Sequence, residues 1–252
     1  SLTLSQKLDG FLKRPPPPSL RFSNNPPHIL KHSEGGLELF CVPFFFVGPI
    51  WTINLGAFES TSLRGHLQTK NKWDYFISAA GTLNPISKII QSRSDTWEKS
   101  IYVNCLGQIR FLKNLLRKNN KRRKIIFFAG GGINNATSDY SAYTLSKNFL
   151  IKYVELLDFE EKLLNVSILG PGFINTKLHK KKKEKIYSTK KINKIKKVVK
   201  CISWILNQSK NIVSGRNFSV VHDSWGTKKI EKLLKANKNI YKLRRYGNNL
   251  KI

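Results

Sequence analysis

From about residue 73 onward, short apolar runs alternate with longer segments of mixed pattern. Residues 73–78 read W-D-Y-F-I-S, residues 124–129 read K-I-I-F-F-A, and residues 165–169 read N-V-S-I-L. Runs this short and this continuously apolar suit strands buried on both faces of a parallel sheet. Between them lie segments with a helical period. In residues 95–118, Trp97, Ile101, Val103, Leu106, Ile109, Phe111, Leu112, Leu115 and Leu116 predict a helix with a broad apolar face. Residues 141–163 predict a second helix. Residues 195–206, with Val198, Val199, Ile202, Trp204 and Ile205, predict a third, and residues 217–221 a last strand. Strands alternating with helices predict an α/β fold.

The first fifty residues do not share this pattern. Eight of the ten prolines lie here, from Pro15 to Pro49, and only Lys7, Lys13 and Lys31 represent the lysine that saturates the later chain. The Pro15–Pro18 run predicts polyproline II or disorder. Residues 39–53 are apolar around Phe44, Phe45 and Phe46, but they are cut by Pro43 and Pro49. That is short for a membrane span and late for a signal peptide, so a buried strand near residues 44–47 is expected. The organisation read from this shift is an atypical segment over 1–50, disordered or replaced, and an α/β domain over 51–252. No methionine occurs anywhere; a fragment of a reading frame and a processed form both account for that.

The formal net charge is +30. It is either an electrostatic footprint for an anionic partner or a compositional bias spread over solvated faces. The basic residues are scattered and form no aromatic-studded platform, which favours the second reading and argues against nucleic acid. Cys41, Cys105 and Cys201 are far apart. They form neither a disulfide framework nor a zinc set, so no metal is expected and a reducing compartment, the cytoplasm, is the default.

The chemistry is concentrated in residues 139–150, D-Y-S-A-Y-T-L-S-K-N-F-L. Tyr143 and Lys147 are one helical turn apart on one face. An ammonium beside a phenol favours the phenolate and lowers its pKa, which would make the pair an acid–base device.

Strand, glycine run (Gly130, Gly131, Gly132), helix with Tyr143 and Lys147, strand, then Gly170-Pro171-Gly172: this order resembles the catalytic half of the short-chain dehydrogenase/reductase family. The resemblance covers about residues 51–247. It implies a Rossmann-like three-layer sandwich with a parallel sheet, its N-terminal βαβ portion atypical or degenerate. It implies an NAD(P)-dependent oxidoreductase that passes hydride between nicotinamide and a carbonyl or alcohol carbon. Tyr143 would exchange the proton, Lys147 would lower the Tyr143 pKa and bind the nicotinamide ribose, and Asn104 would hold a relay water. Asn104 lies on the family's Trp-x(6)-Asn-x-x-Gly spacing with Trp97 and Gly107. For the cofactor, NAD or NADP, the resemblance nominates Asn54, Ala80, Gly81, Tyr143, Lys147, Pro171, Gly172, Ile174 and Thr176. Asn54 would stand at the end of the family's third strand, at residues 51–55, in the place of the family's Asp, and residues 58–69 would form the next helix. The family also implies a homodimer or homotetramer built through the helices at 95–118 and 141–163.

The chain departs from the family pattern at two places. No Thr-Gly-x-x-x-Gly-x-Gly turn occurs in residues 1–50, where the pyrophosphate site would lie. The catalytic serine, twelve or thirteen residues before the tyrosine, is replaced by Gly131 or Gly130. Ser138 or Ser141 would have to substitute for it. A branch of the family tied to sugar and cell-surface polysaccharide synthesis has a similar glycine run, and residues 219–225 and 241–245 resemble its endings. Residues 177–200 hold twelve lysines against Glu184. At the place of the family's substrate lid they imply an anionic or sugar-linked substrate, or else a solvated basic loop. The two departures leave an alternative, a degenerate non-catalytic relative acting as an interaction protein.

Overall fold

The computed structural model describes residues 74–116, 121–174 and 195–245, with the backbone of two short strands before them. The chain divides into Ser1–Leu39 and Phe40–Ile252, and every described residue lies in the second unit. Its strands are β1 (Phe46–Val47), β2 (Ile50–Ile53), β3 (Tyr75–Ser78), β4 (Arg123–Phe128), β5 (Leu164–Gly170) and β6 (Asn217–Ser219). They lie side by side in chain order. The β1–β2 pair is antiparallel, and every later pair is parallel.

The parallel body is as the hydrophobic runs predict. Within β4, Ile125, Ile126 and Phe127 are all buried, so both faces of the strand are covered. On one face Ile125 and Phe127 join Val166 and Ile168 of β5 in a core with Leu150, Ile151 and Val154 of α3 (Ser141–Glu160). Phe76 of β3 stacks on Phe111, with ring centroids 6.0 Å apart. On the other face Lys124 donates from Nζ to Leu206 O, at the end of α4 (Ile195–Asn207). Ser167 donates to Val213 O, the last residue of α5 (Lys210–Val213). Helices on both sides of a mostly parallel sheet make the expected three-layer, Rossmann-like sandwich.

Three differences from the sequence reading concern local structure. Residues 95–118 do not form one continuous helix. The structure has α1 (Ser94–Ile101), a π-helical turn (Tyr102–Leu106) and α2 (Gly107–Leu116). The Gln108 side chain folds back into this turn and donates to the Val103 and Asn104 carbonyls, which a regular helix reserves for backbone N–H groups. The last strand stops at Ser219, because the Asp223 carboxylate accepts the Ser219 N–H at 2.7 Å and turns the chain. Finally, β2 pairs with β3. In the doubly wound order 3-2-1-4-5-6 the neighbour of the fourth strand is the first, so β2 takes the first strand's place and not the third's. Two helices were not anticipated, the short α5 and α6 (Lys228–Ala236), whose Thr227 side chain caps the Ile230 N–H. The helix expected over 58–69 lies outside the described residues.

Two loops at the carboxyl ends of the strands are joined to each other. Ser87, after β3, bridges Tyr140, before α3, and its N–H donates to Asp139 O at 3.0 Å. Both border the ground above Ala80 and Gly130.

Candidate active site

Lys147 is buried, on the inner face of α3. Its ammonium donates to the Ala80 carbonyl, just beyond β3, at 3.3 Å. Burial pulls its pKa down to about 8, opposed by the Cys105 thiol that faces it from the π-helical turn. Asn104, on the same turn, is fully enclosed. Its Oδ1 accepts the Thr82 N–H at 2.7 Å, and its Nδ2 donates to Thr82 O at 2.9 Å and to Ser100 Oγ at 3.2 Å. Asn104 thus clasps the Thr82 peptide groups at both ends. Gly81 lies between the two side chains. A Cβ there would stand 3.3 Å from Asn104 Oδ1 and 3.8 Å from Lys147 Nζ. The structure therefore gathers Ala80, Gly81, Asn104 and Lys147 into one cluster.

Tyr143 lies one turn before Lys147 and packs against the end of β4. A Cβ on Gly130 would meet the Tyr143 hydroxyl at 2.7 Å, whereas one on Gly131 would meet nothing within 4 Å. Glycine at 130 is thus what lets the phenol lie where it does, and a serine at 130 would displace it. The expectation of a lowered Tyr143 pKa is corrected. Burial pushes it up to about 12, so the free chain carries a neutral phenol at neutral pH. Ser141 Oγ accepts the Trp97 indole N–H at 3.0 Å, tying α3 to α1, and Ser138 is exposed.

Pro171 and Gly172 follow β5 at the same end of the sheet, with Gly172 at φ +71°, and Ile174 closes that described stretch. Asn54, Thr176 and the basic stretch 177–194 lie outside the described residues. Sequence reasoning missed Gln108, which is enclosed beside Asn104. It also missed Thr82 and Ser78, whose partners belong to distant segments. Among the described residues no group of three His, Cys, Asp or Glu side chains could hold a metal.

The family model described as short chain dehydrogenase matches residues 62–186, the stretch that carries this cluster. That stretch is similar to the short-chain dehydrogenase family. Solved structures agree at the level of fold. A 4-hydroxyisoleucine dehydrogenase mutant complexed with NADH and succinate aligns with a TM-score of 0.51 at 22% identity, over 58% of this chain and 65% of that one. A short chain dehydrogenase from Salmonella enterica subsp. enterica serovar Typhi str. CT18 aligns with a TM-score of 0.52 at 17% identity, over 59% and 62%. A variant of ElxO with NADPH bound aligns with a TM-score of 0.51 at 19% identity, over 59% and 65%. The chain spans less than two thirds of the length of each of these three. No curated protein sequence matches it.

Proposed function

We propose that the chain is an NAD(P)-dependent oxidoreductase of the short-chain dehydrogenase type, acting on a small carbonyl or alcohol substrate. The observation that carries this reading is the buried Lys147 ammonium, with Asn104, grouped around a glycine at the carboxyl end of a parallel strand. A ribose hydroxyl needs both a donor and close approach to backbone, and Lys147 and Gly81 provide them. The nicotinamide half of the cofactor thus fits the residues present. The names of family structures with NADH or NADPH bound support the same cofactor class.

When bound, the cofactor supplies or accepts the hydride. The rest falls to the chain. Tyr143, a neutral phenol, gives its proton to the substrate oxygen, so reduction of a carbonyl is the direction that the free protein is poised for. Lys147 holds the ribose, and its charge stabilises the phenolate once the proton has left. Asn104 keeps Thr82 in place and orders a relay water, the role that the resemblance implies. Ala80, Gly81, Pro171, Gly172 and Ile174 line the cofactor's path, and Asn54 and Thr176 are the further contacts that the resemblance nominates. The open space beside Gly131 admits a substrate substituent, and the lysines of 177–200 favour an anionic or sugar-linked one, as in polysaccharide synthesis. The chain works in the cytoplasm as a homodimer or homotetramer.

The test is a fluorescence titration of the chain with NADH and with NADPH, followed by a screen of carbonyl substrates. Saturable binding that is lost in Lys147→Ala, and turnover that falls by about 10²- to 10⁴-fold in Tyr143→Phe, are expected. No saturation with either cofactor would overturn the reading and favour a non-catalytic relative.

A further inference from the structure

Gln108 has no part in the chemistry described so far, yet it is the most heavily bonded side chain near the site. It is fully enclosed. Its Oε1 accepts the Ser78 hydroxyl at 2.6 Å. Its Nε2 faces three carbonyls: Asn104 O at 2.7 Å, Ala80 O at 3.1 Å and Val103 O at 3.3 Å. A primary amide has two hydrogens, so at least one of these bonds is shared. The side chain therefore pins the end of β3 to the π-helical turn.

Two of those carbonyls belong to the functional cluster. Ala80 O is the acceptor of the Lys147 ammonium, so it receives donors from two helices, Gln108 on α2 and Lys147 on α3. The Asn104 carbonyl belongs to the residue whose side chain clasps Thr82. We propose that Gln108 is a positioning residue, which fixes the Ala80 carbonyl that receives Lys147 and braces the turn that presents Asn104. The proposal rests on the reading of Lys147 and Asn104 as functional groups, and it extends that reading to a residue that touches neither cofactor nor substrate.

The physical case lies in what replacements would do. Methionine has similar length and no donor. It would leave three carbonyls and the Ser78 hydroxyl without their partner in a dry interior, where each unmet group is costly. The Ala80 peptide would then be free to turn away. Lys147 would lose an acceptor with little else to replace it, since the titratable group facing it from another element is the Cys105 thiol. An ammonium deprived of its acceptor while still buried gives up its proton more readily.

The experiment is an NMR titration of chain labelled with ¹³C at the lysine ε carbons, without cofactor. The Lys147 signal is assigned by its absence in Lys147→Met. In Gln108→Met the Lys147 midpoint should fall by half a unit or more, with the far-ultraviolet circular dichroism unchanged. Ser78→Ala, which removes only the bond to Oε1, should move it the same way by less, and it carries the test if Gln108→Met does not fold. NADH binding should weaken roughly tenfold in Gln108→Met. An unchanged midpoint would overturn the proposal. So would a rise, which would show that Gln108 merely competes with Lys147 for Ala80 O. The titration needs no cofactor, so a parent chain that fails to bind NADH would sink the functional reading alone.

Discussion

Lys147 carries its charge to a place where only 3% of its surface is exposed. The unfolded chain holds that proton up to the ordinary lysine value of 10.5, the folded chain only to about 8. Between those values the unfolded state binds more protons, so stability rises with pH across the window, and below it the full penalty applies. Replacing Lys147 by methionine should therefore raise the melting temperature at pH 7, with the gain fading between pH 8 and 10.5. Thermal melts across that range check this, and a gain that persists at pH 10.5 would contradict it. Tyr143 and Lys147 were legible in the sequence because a spacing of four on a helix needs no tertiary knowledge. Gln108 was not. At 100° per residue it falls on the same face as Ile101, Phe111, Leu112 and Leu115, but an amide on an apolar face does not announce what it bonds to. Asn104 shares that face, and Leu106, opposite it, is 45% exposed. A periodic pattern gives the buried face and not the partners of a buried amide, here Ser78 and Ala80 from a distant strand.

The elements of this fold are tied at their ends by cations, one half-buried and one buried, that complete unmet carbonyls. Lys210 donates to Glu161 O at 3.0 Å, beyond the end of α3, and pairs with Asp158 Oδ1 at 3.0 Å. Arg216, just ahead of β6, reaches Leu234 O at 2.7 Å, Asn237 O at 3.1 Å and Ile240 O at 2.7 Å. Helix ends leave such carbonyls without partners, and a cation there also meets the negative end of the helix dipole. Arg216→Met should cost about 3 kcal/mol, since hydrogen bonds to a charged group are each worth roughly 1.5–3 kcal/mol. It should lower the melting temperature by roughly 6–12 °C for a domain of this size, as calorimetry would show. A loss of about 1 °C would mean that the α6 end is held by other contacts. These clamps were invisible in the sequence, where Lys210 and Arg216 are two among 45 basic residues. The central strands were legible, because parallel strands covered on both sides leave continuous apolar runs. The place of β2 was not, because the motif that marks a first strand is missing ahead of it, and strand order is set by pairing rather than by pattern.

At the scale of the whole molecule, one face of α3 is unfinished. Leu145, Phe149, Leu156 and Phe159 are all exposed, at helical spacing. This stripe suits the proposed homodimer. The net charge of +30 acts against it, because two like-charged copies repel and salt screens the repulsion. Light scattering should give a dimer mass that strengthens with added salt, and Phe149→Asp with Leu156→Asp should leave a folded monomer. A parent chain that is monomeric at every salt concentration would refute the dimer. None of the described helices is long and apolar enough to cross a membrane. The pairing of Ser87 with Tyr140 has a consequence at this scale too. It joins the segment after β3 to the segment before α3 by backbone, so the Ala80 side and the Tyr143 side of the site behave as a single door leaf.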